Sequence, residues 1–210
     1  MLFDLDGVLV DSREAIENVW REWAAARGLE YRHFLRVAHG RRTSETVRLV
    51  APELDAKTEA AALDAMEAVE ARGLVAFPGA RALLAAIPAG RWAIVTSGSL
   101  AVATLRLRAA GIAPPAVFIT ADDVRRGKPD PEGYLATADR LSLEPADCVV
   151  VEDSPTGIAA GKAARMRVVA VATTYPPEAL AAADVRLPAL SSLQSRADGA
   201  GALELTFATA

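Results

Sequence analysis

The architecture of this chain follows most directly from the segment Cys148-Val149-Val150-Val151-Glu152-Asp153-Ser154-Pro155. Its first four residues are apolar in succession, which is typical of a short strand that is covered on both faces in a parallel sheet. Ser154 is a residue type that caps helices, and Pro155 fits the first helical position. The segment therefore predicts a buried strand that leads directly into a helix, with two acids at the junction.

Apolar runs of the same kind recur along the chain. They are Met1 to Leu5, Trp92 to Val95, Val117 to Ile119 and Val168 to Val171. Helical patterns such as Leu100 to Ala110 and Pro155 to Met166 lie between them. Strands that alternate with helices predict an α/β fold with a doubly wound parallel sheet. Towards the end of the sequence, Leu203 to Phe207 fits an edge strand.

One long interval, from about Ser12 to Phe77, interrupts the alternation and contains no convincing strand. Its apolar residues fall at helical spacing in two stripes. The stripes are Ile16, Val19, Trp20 and Trp23, and then Ala62, Met66 and Val69. About 65 residues of helix are too many for one crossover between parallel strands. We therefore predict a core made of residues 1–12 and 77–210, with a helical subdomain at 13–76 inserted between hinges at 10–12 and 76–79.

Polar side chains follow four of the predicted strands. Asp4-Leu5-Asp6-Gly7 ends the first, and Thr96-Ser97-Gly98-Ser99 follows the second. Gly127-Lys128-Pro129-Asp130-Pro131 comes after the third, and Glu152-Asp153 after the fourth. Because the carboxyl ends of parallel strands lie along one edge of the sheet, where such folds bind ligands, we expect these groups to meet.

The chemistry of these groups points to a metal ion and a phosphate. Clustered buried acids repel each other and lose hydration, so a cation is expected among them. Carboxylate oxygens suit Mg²⁺, which also accepts phosphate oxygens as ligands. The backbone at Gly98 can approach an anion beside a helix N-terminus, and Lys128 can hold a phosphate as a point charge.

The composition restricts the partners. Hydrophobic residues make up 52% of the 210 residues, so a packed core is expected. A net charge of −4 argues against nucleic acid as the main partner. The first residues have no basic region of a signal peptide, and no apolar window reaches the length of a membrane span. We expect a cytoplasmic protein, a monomer or weak homodimer, that acts on a small phosphorylated metabolite and binds neither membrane nor nucleic acid.

The motifs resemble those of the haloacid dehalogenase superfamily, in its phosphatase branch with a helical cap. They are Phe3-Asp4-Leu5-Asp6-Gly7-Val8-Leu9-Val10-Asp11-Ser12, Val95-Thr96-Ser97-Gly98, Lys128-Pro129-Asp130-Pro131, and Val151-Glu152-Asp153-Ser154 with Gly157. The resemblance covers nearly the whole chain and implies a Rossmann-like core. It also implies that Asp4 attacks phosphorus and becomes an aspartyl phosphate, while Asp6 serves as the acid and then the base.

The same resemblance assigns the remaining site residues. Thr96 and Lys128 would hold the phosphoryl oxygens, with Ser97 and Gly98 beside them. Mg²⁺ would be held by Asp4, by the backbone carbonyl of Asp6 and by Asp153, with Glu152 as a further or more distant ligand. Asp6 would have to be protonated in the first half-reaction, to supply a proton to the leaving alcohol.

A closer resemblance is to phosphatases that act on glycerol 3-phosphate and 2-deoxyglucose 6-phosphate. It is carried by the segments 39–43, 92–98, 118–124 and 157–164. This resemblance implies a Mg²⁺-dependent phosphomonoester hydrolase for a small sugar or polyol phosphate. The loop from His39 to Thr43 fits either a solvated basic surface or a lid, and in the second case His39, Arg42 and Thr43 would bind substrate.

Two other functions remain open. The hexose-phosphate mutases of the β-phosphoglucomutase type are isomerases that resemble this chain in all four motifs. They usually have a histidine shortly after the first motif, whereas the matching place here is near Ile16, which cannot titrate. That difference favours hydrolysis. A non-catalytic phosphate-binding protein is disfavoured, because Asp4, Asp6, Lys128 and Asp153 are all present.

Overall fold

The computed structural model describes residues 1–31, 40–198 and 202–208. Its main sheet has six parallel strands. They are β1 (Leu2–Phe3), β4 (Ala93–Val95), β5 (Phe118–Ile119), β6 (Val149–Glu152), β7 (Arg167–Val171) and β8 (Val185–Leu187). Their order is β5-β4-β1-β6-β7-β8, so β1 lies between β4 and β6 at the centre. The predicted α/β fold with a parallel sheet is confirmed.

Helices cover both faces of this sheet. They are α4 (Ala80–Ala86), α5 (Leu100–Ala109), α6 (Glu132–Arg140) and α7 (Pro155–Ala163). Adjacent strand residues point to opposite faces, so Phe3 packs with α4 and α5 whereas Leu2 packs with α6 and α7. Burial on both faces explains why the strands are apolar at successive positions.

The C-terminal part differs from the prediction. Strand β8 forms one edge of the main sheet, and the sequence pattern did not indicate it. The predicted strand at Leu203–Phe207, β10, exists, but it pairs antiparallel with β9 (Leu193–Ala197) in a separate two-stranded sheet. The alternation of its apolar residues accounts for this arrangement, since only one face of β10 packs on the core.

Within the described residues of the interval 13–76 lie three helices: α1 (Arg13–Ala25), α2 (Thr43–Val50) and α3 (Ala56–Glu67). They share a hydrophobic cluster of their own, in which Trp20, Trp23 and Leu63 are buried. Short strands β2 (Val10–Asp11) and β3 (Val75–Ala76) pair antiparallel at the two predicted hinges, so the expectation of no strand in this interval was wrong at its end. The domain boundaries themselves stay a prediction. We call residues 13–76 the helical insert.

The predicted stripe of Ala62, Met66 and Val69 was only partly right, because Met66 packs against the cluster of the insert but Val69 does not. The buried face of α3 carries Ala60, Leu63 and Glu67 instead, and Val69 is 80% exposed beyond the end of the helix. Because alanines occur on several faces of this helix, the sequence pattern does not indicate which face is buried. Packing against the neighbouring helices decides it. None of the helices within the described ranges has the length and apolar character needed to cross a bilayer.

Candidate active site

Asp4 and Lys128 form the centre of the site. Asp4 directly follows β1, and Lys128 lies in the loop after β5. The Nζ atom of Lys128 is 2.6 Å from Oδ1 of Asp4 and 2.7 Å from Oε1 of Glu152, the last residue of β6. All three side chains are buried. The strand ends therefore bring together three of the predicted site residues, as the parallel topology requires.

The carboxylate of Glu152 is held by hydrogen bonds on both oxygens. Oε1 also accepts from the hydroxyl of Tyr134 at 2.8 Å. Oε2 accepts from the backbone N–H of Asp153 at 3.0 Å and from the hydroxyl of Ser154 at 3.0 Å. Burial alone would raise the pKa of Glu152, but the charge of Lys128 and these hydrogen bonds outweigh burial and lower it. Glu152 is therefore an ionised partner that orients Lys128.

Ionisation of Asp4 and Asp153 is costly at this buried place. Burial raises the pKa of Asp4 to about 7, although Lys128 opposes this shift and Glu152 adds to it. Burial, together with the charges of Glu152 and Asp4, raises the pKa of Asp153 well above its usual value. Oxygens of Asp4, Glu152 and Asp153 lie within 4.8 Å of one another. A buried set of hard oxygen donors with excess negative charge fits a divalent cation such as Mg²⁺.

Asp6 is held by two donors. The hydroxyl of Ser12 donates to Oδ1 of Asp6 at 2.6 Å, and Nη1 of Arg106 lies 2.5 Å from Oδ2. The other terminal nitrogen of Arg106 is 2.5 Å from Oε2 of Glu67, which belongs to α3 of the helical insert. A network thus runs from the core carboxylate through a core arginine to the insert.

The loop after β4 forms another wall. Oγ1 of Thr96 accepts a hydrogen bond from the backbone N–H of Gly98 at 3.1 Å. The hydroxyl of Ser97 donates to the backbone carbonyl of Gly40 at 3.0 Å. Gly40 has a φ of +80°, and a Cβ there would overlap the hydroxyl of Ser154, so only glycine fits this approach to the core. The insert therefore lies directly over the carboxyl ends of the strands.

Of the predicted substrate-binding residues of the insert, Thr43 lines the cavity that contains Asp4 and Arg42 does not. The hydroxyl of Thr43 donates to Asp64 at 2.9 Å. Arg42 turns away from that cavity: its Nε donates to Glu45 at 2.8 Å and Nη1 to the carbonyl of Val124 at 3.3 Å. The neighbouring Arg41 lines the cavity instead. His39 lies outside the described residues.

Predicted and unpredicted residues share this cavity. Its lining consists of Asp4, Asp6, Ile16, Trp20, Gly40, Arg41, Thr43, Thr46, Glu67, Thr96, Ser97, Gly98, Arg106 and Asp153. Lys128 is in contact with Asp4 but lines a neighbouring cavity with Tyr134. The prediction missed Ser12, Glu67, Arg106 and Tyr134. Arg106 could have been found in the sequence as a charged residue on the buried face of a helix. No feature of the sequence indicated Tyr134.

The arrangement combines groups that suit phosphoryl transfer. A buried carboxylate is in contact with an ammonium group, and two further acids lie beside it. An ammonium group fixed where water is largely excluded stabilises the negative charge of a transferring phosphoryl group, and the acids beside it can hold a cation that does the same. A second carboxylate, on Asp6, lines the same cavity and is oriented by its own donors.

Comparisons with known proteins agree with this chemistry. The chain is 47% identical over 178 residues to hexitol phosphatase A of Escherichia coli, covering 81% of each chain. It is 36% identical over 202 residues to 2-deoxyglucose-6-phosphate phosphatase 1 of Saccharomyces cerevisiae, covering 85% of this chain and 82% of the relative. These relatives confirm the predicted resemblance to sugar and polyol phosphatases.

The fold comparison gives the same result. The crystal structure of CbbY from Rhodobacter sphaeroides in complex with phosphate superimposes with a TM-score of 0.78 and 25% identity, covering 90% of this chain and 93% of that one. The family model for haloacid dehalogenase-like hydrolases matches residues 1–165. The chain therefore belongs to the haloacid dehalogenase-like hydrolases and is a phosphatase of that family.

Proposed function

We propose that this phosphatase is a Mg²⁺-dependent hydrolase of small sugar or polyol monophosphates that works through an aspartyl phosphate on Asp4. The observation that carries the proposal is the 2.6 Å contact between Asp4 and Lys128 inside a buried group of carboxylates. A phosphate monoester is a dianion that repels a carboxylate, and Lys128 together with the cation that the carboxylates would hold supplies the positive charge needed to overcome that repulsion.

In the first half-reaction an oxygen of Asp4 attacks phosphorus, and the bond from phosphorus to the leaving oxygen breaks. Asp6 gives its proton to that oxygen, so the alcohol leaves neutral. In the second half-reaction Asp6 takes a proton from water as the water oxygen attacks phosphorus. The bond to Asp4 then breaks, which releases phosphate. Ser12 and Arg106 orient Asp6.

The remaining core residues hold the phosphoryl group. Thr96, Ser97 and Gly98 line the cavity beside Asp4, and Lys128, which contacts Asp4, neutralises charge. Asp4, Asp153 and the backbone carbonyl of Asp6 would hold Mg²⁺, which supplies charge neutralisation at the phosphoryl oxygens. Glu152 has both oxygens engaged, so we assign it to orienting Lys128, at the edge of the metal site.

We assign the helical insert the role of a lid that binds the leaving group. Gly40 contacts the core at Ser97, and Thr43 and Arg41 line the cavity from above. Closure of the insert would expel water and protect the aspartyl phosphate. Ile16 also lines the cavity, at the place where the mutases usually have a histidine, which favours hydrolysis over isomerisation. The cytoplasmic location and the oligomeric state stay predictions.

The decisive experiment is a phosphate-release screen over polyol, hexose, pentose and nucleoside monophosphates, with and without Mg²⁺. We expect Mg²⁺-dependent release that is highest for a polyol or sugar phosphate. Loss of a hexose 1-phosphate without phosphate release would establish a mutase instead. Binding of phosphate without turnover of any substrate would contradict both enzymatic functions.

A further inference from the structure

We propose that the buried ion pair between Glu67 and Arg106 determines specificity for the leaving group, by favouring neutral, hydroxyl-bearing leaving groups over those with a second negative charge. The inference rests on the proposed phosphatase function. It concerns a part of the site beyond the residues that hold the phosphoryl group and the metal.

The pair connects the two halves of the site. Arg106 lies on α5 of the core, whereas Glu67 is the last residue of α3 in the helical insert. Their closest atoms, Nη2 and Oε2, are 2.5 Å apart, and the side chains are 5% and 9% exposed. Arg106 also contacts Asp6 through Nη1 at 2.5 Å. Because Asp6 would protonate the leaving oxygen, the pair lies on the side of the leaving group.

Stability alone does not account for a buried ion pair at this place. The other buried residues of α5 are Val102, Ala103 and Leu107, all of which are apolar. Removing two charges from water is costly, and well-packed apolar residues often serve a fold as well or better. Both members of the pair line the cavity that contains Asp4 and Asp153. We infer that the charges are kept for a ligand.

The chemistry of the cavity fits hydroxyl groups. A hydroxyl accepts a hydrogen bond from a guanidinium and donates one to a carboxylate, so it can join the pair without adding net charge. The hydroxyl-bearing side chains of Thr43 and Thr46 line the same cavity. A neutral polyol chain therefore matches both the charges and the polar groups that the cavity presents.

The charges around the cavity would disfavour an anionic leaving group. Its charge would be close to the carboxylate of Glu67, which repels it. Arg106 could attract it only by giving up contacts that it already makes to Asp6 and Glu67. Specificity of this kind comes from repulsion of the wrong ligand as well as from contacts to the right one.

The test uses two substrates that differ only at this end, together with a third that has no hydroxyl. Glycerol 3-phosphate has a neutral CH₂OH group where 3-phosphoglycerate has a carboxylate, and p-nitrophenyl phosphate supplies the reference. We expect the parent to prefer glycerol 3-phosphate over 3-phosphoglycerate in kcat/KM, and Glu67→Gln to reduce that preference about tenfold or more.

Glu59→Gln is the matched control. Glu59 lies on the same helix and is paired with Arg27, away from the cavity. Glu59→Gln removes a Glu–Arg ion pair, as Glu67→Gln does, so the preference for glycerol 3-phosphate over 3-phosphoglycerate should stay at the parental value. Arg106→Lys is the second variant, should Glu67→Gln fail to fold. It keeps the charge but removes the planar fork, and we expect a larger loss on glycerol 3-phosphate than on 3-phosphoglycerate, two alkyl phosphates that need the same protonation of the leaving oxygen.

The outcomes separate the two proposals. An unchanged preference in Glu67→Gln, or an equal loss on all three substrates in Arg106→Lys, would overturn the role of the pair while leaving the phosphatase function intact. If the parent released no phosphate from any substrate in this set or in the wider screen, both proposals would fall.

Discussion

Lys128 and Asp4 are 124 residues apart in sequence, yet the Nζ atom of Lys128 lies 2.6 Å from Oδ1 of Asp4. The charges of Asp4 and Glu152 raise the pKa of Lys128 well above its usual value, in spite of burial. Lys128 therefore remains cationic at any pH at which the enzyme would work. This fixed charge lies next to Asp4, the residue that the first two predictions concern.

The first prediction concerns Asp4→Asn. Asparagine has nearly the same shape but cannot attack phosphorus at a useful rate, so we expect kcat to fall at least about 10³-fold with the fold retained. Initial rates of phosphate release and circular dichroism measure the two effects. A folded Asp4→Asn protein with activity close to the parental value would exclude the covalent mechanism.

The second prediction links Mg²⁺, pH and stability. Burial raises the pKa of Asp4 from 3.8 to about 7, and that of Asp153 is raised well above its usual value. In the metal-free protein the protonated carboxyl of Asp4 contributes stability that is fully present below pH 3.8 and is lost as pH rises through about 7. Because Mg²⁺ competes with these protons, it should raise Tm more at about pH 8 than at about pH 6.

Asp153→Asn tests that link, because it removes a charged oxygen ligand from the site. We expect the Mg²⁺-dependent rise in Tm to shrink and the Mg²⁺ concentration for half-maximal activity to increase. Asp139→Asn, at an exposed position on α6, is the control and should behave like the parent. Full activity of the parent after removal of metal by a chelator would contradict the prediction.

The third prediction concerns Asp6→Asn. Loss of general acid–base catalysis typically costs about 10² to 10⁴ in rate. A nitrophenolate leaves without help from a proton, so an aryl phosphate should recover part of the first step that an alkyl phosphate loses. The measurement is kcat/KM for a polyol phosphate and for p-nitrophenyl phosphate, in parent and variant. Equal losses on both substrates would argue against Asp6 as the acid.

The fourth prediction compares two adjacent arginines. Arg41 lines the cavity, whereas Arg42 is held by Glu45 and the carbonyl of Val124. Arg41→Ala should therefore lower kcat/KM for a polyol phosphate about tenfold or more, relative to an aryl phosphate. Arg42→Ala should change that ratio less. A larger effect at Arg42 would restore the interpretation drawn from sequence alone.

The fifth prediction concerns Gly157, in the first turn of α7. A Cβ at this position would overlap Oε1 of Glu152, a fully buried atom that receives hydrogen bonds from Lys128 and Tyr134. We expect Gly157→Ala to lower the free energy of unfolding by about 1–3 kcal/mol and to reduce activity by displacing Lys128. Ala159→Ser, exposed on the same helix, should stay within about 0.5 kcal/mol of the parent in denaturant unfolding. Parental stability and activity in Gly157→Ala would contradict the prediction.

The parallel sheet could be predicted because each of its central strands is apolar at successive positions and precedes a helix. The residues at the strand ends could be predicted to meet for the same reason, since parallel topology leaves little freedom in where those ends lie. Strand β8 and the pairing of β10 with β9 could not be predicted. Short strands near an edge have weak sequence patterns, and packing decides which strands they pair with.

The sequence by itself determined the parallel arrangement of the central strands, the order of the motifs and the expectation that Asp4, Asp6, Lys128 and Asp153 meet at one edge of the sheet, because these depend on local patterns and on a topology with few alternatives. Only the tertiary structure decided that Arg106 joins Asp6 to Glu67, and that Arg41 lines the cavity in place of Arg42. Such contacts depend on the angle at which the insert meets the core and on the rotation of each helix. That geometry is set by the packing of side chains distant in sequence, which no local pattern contains.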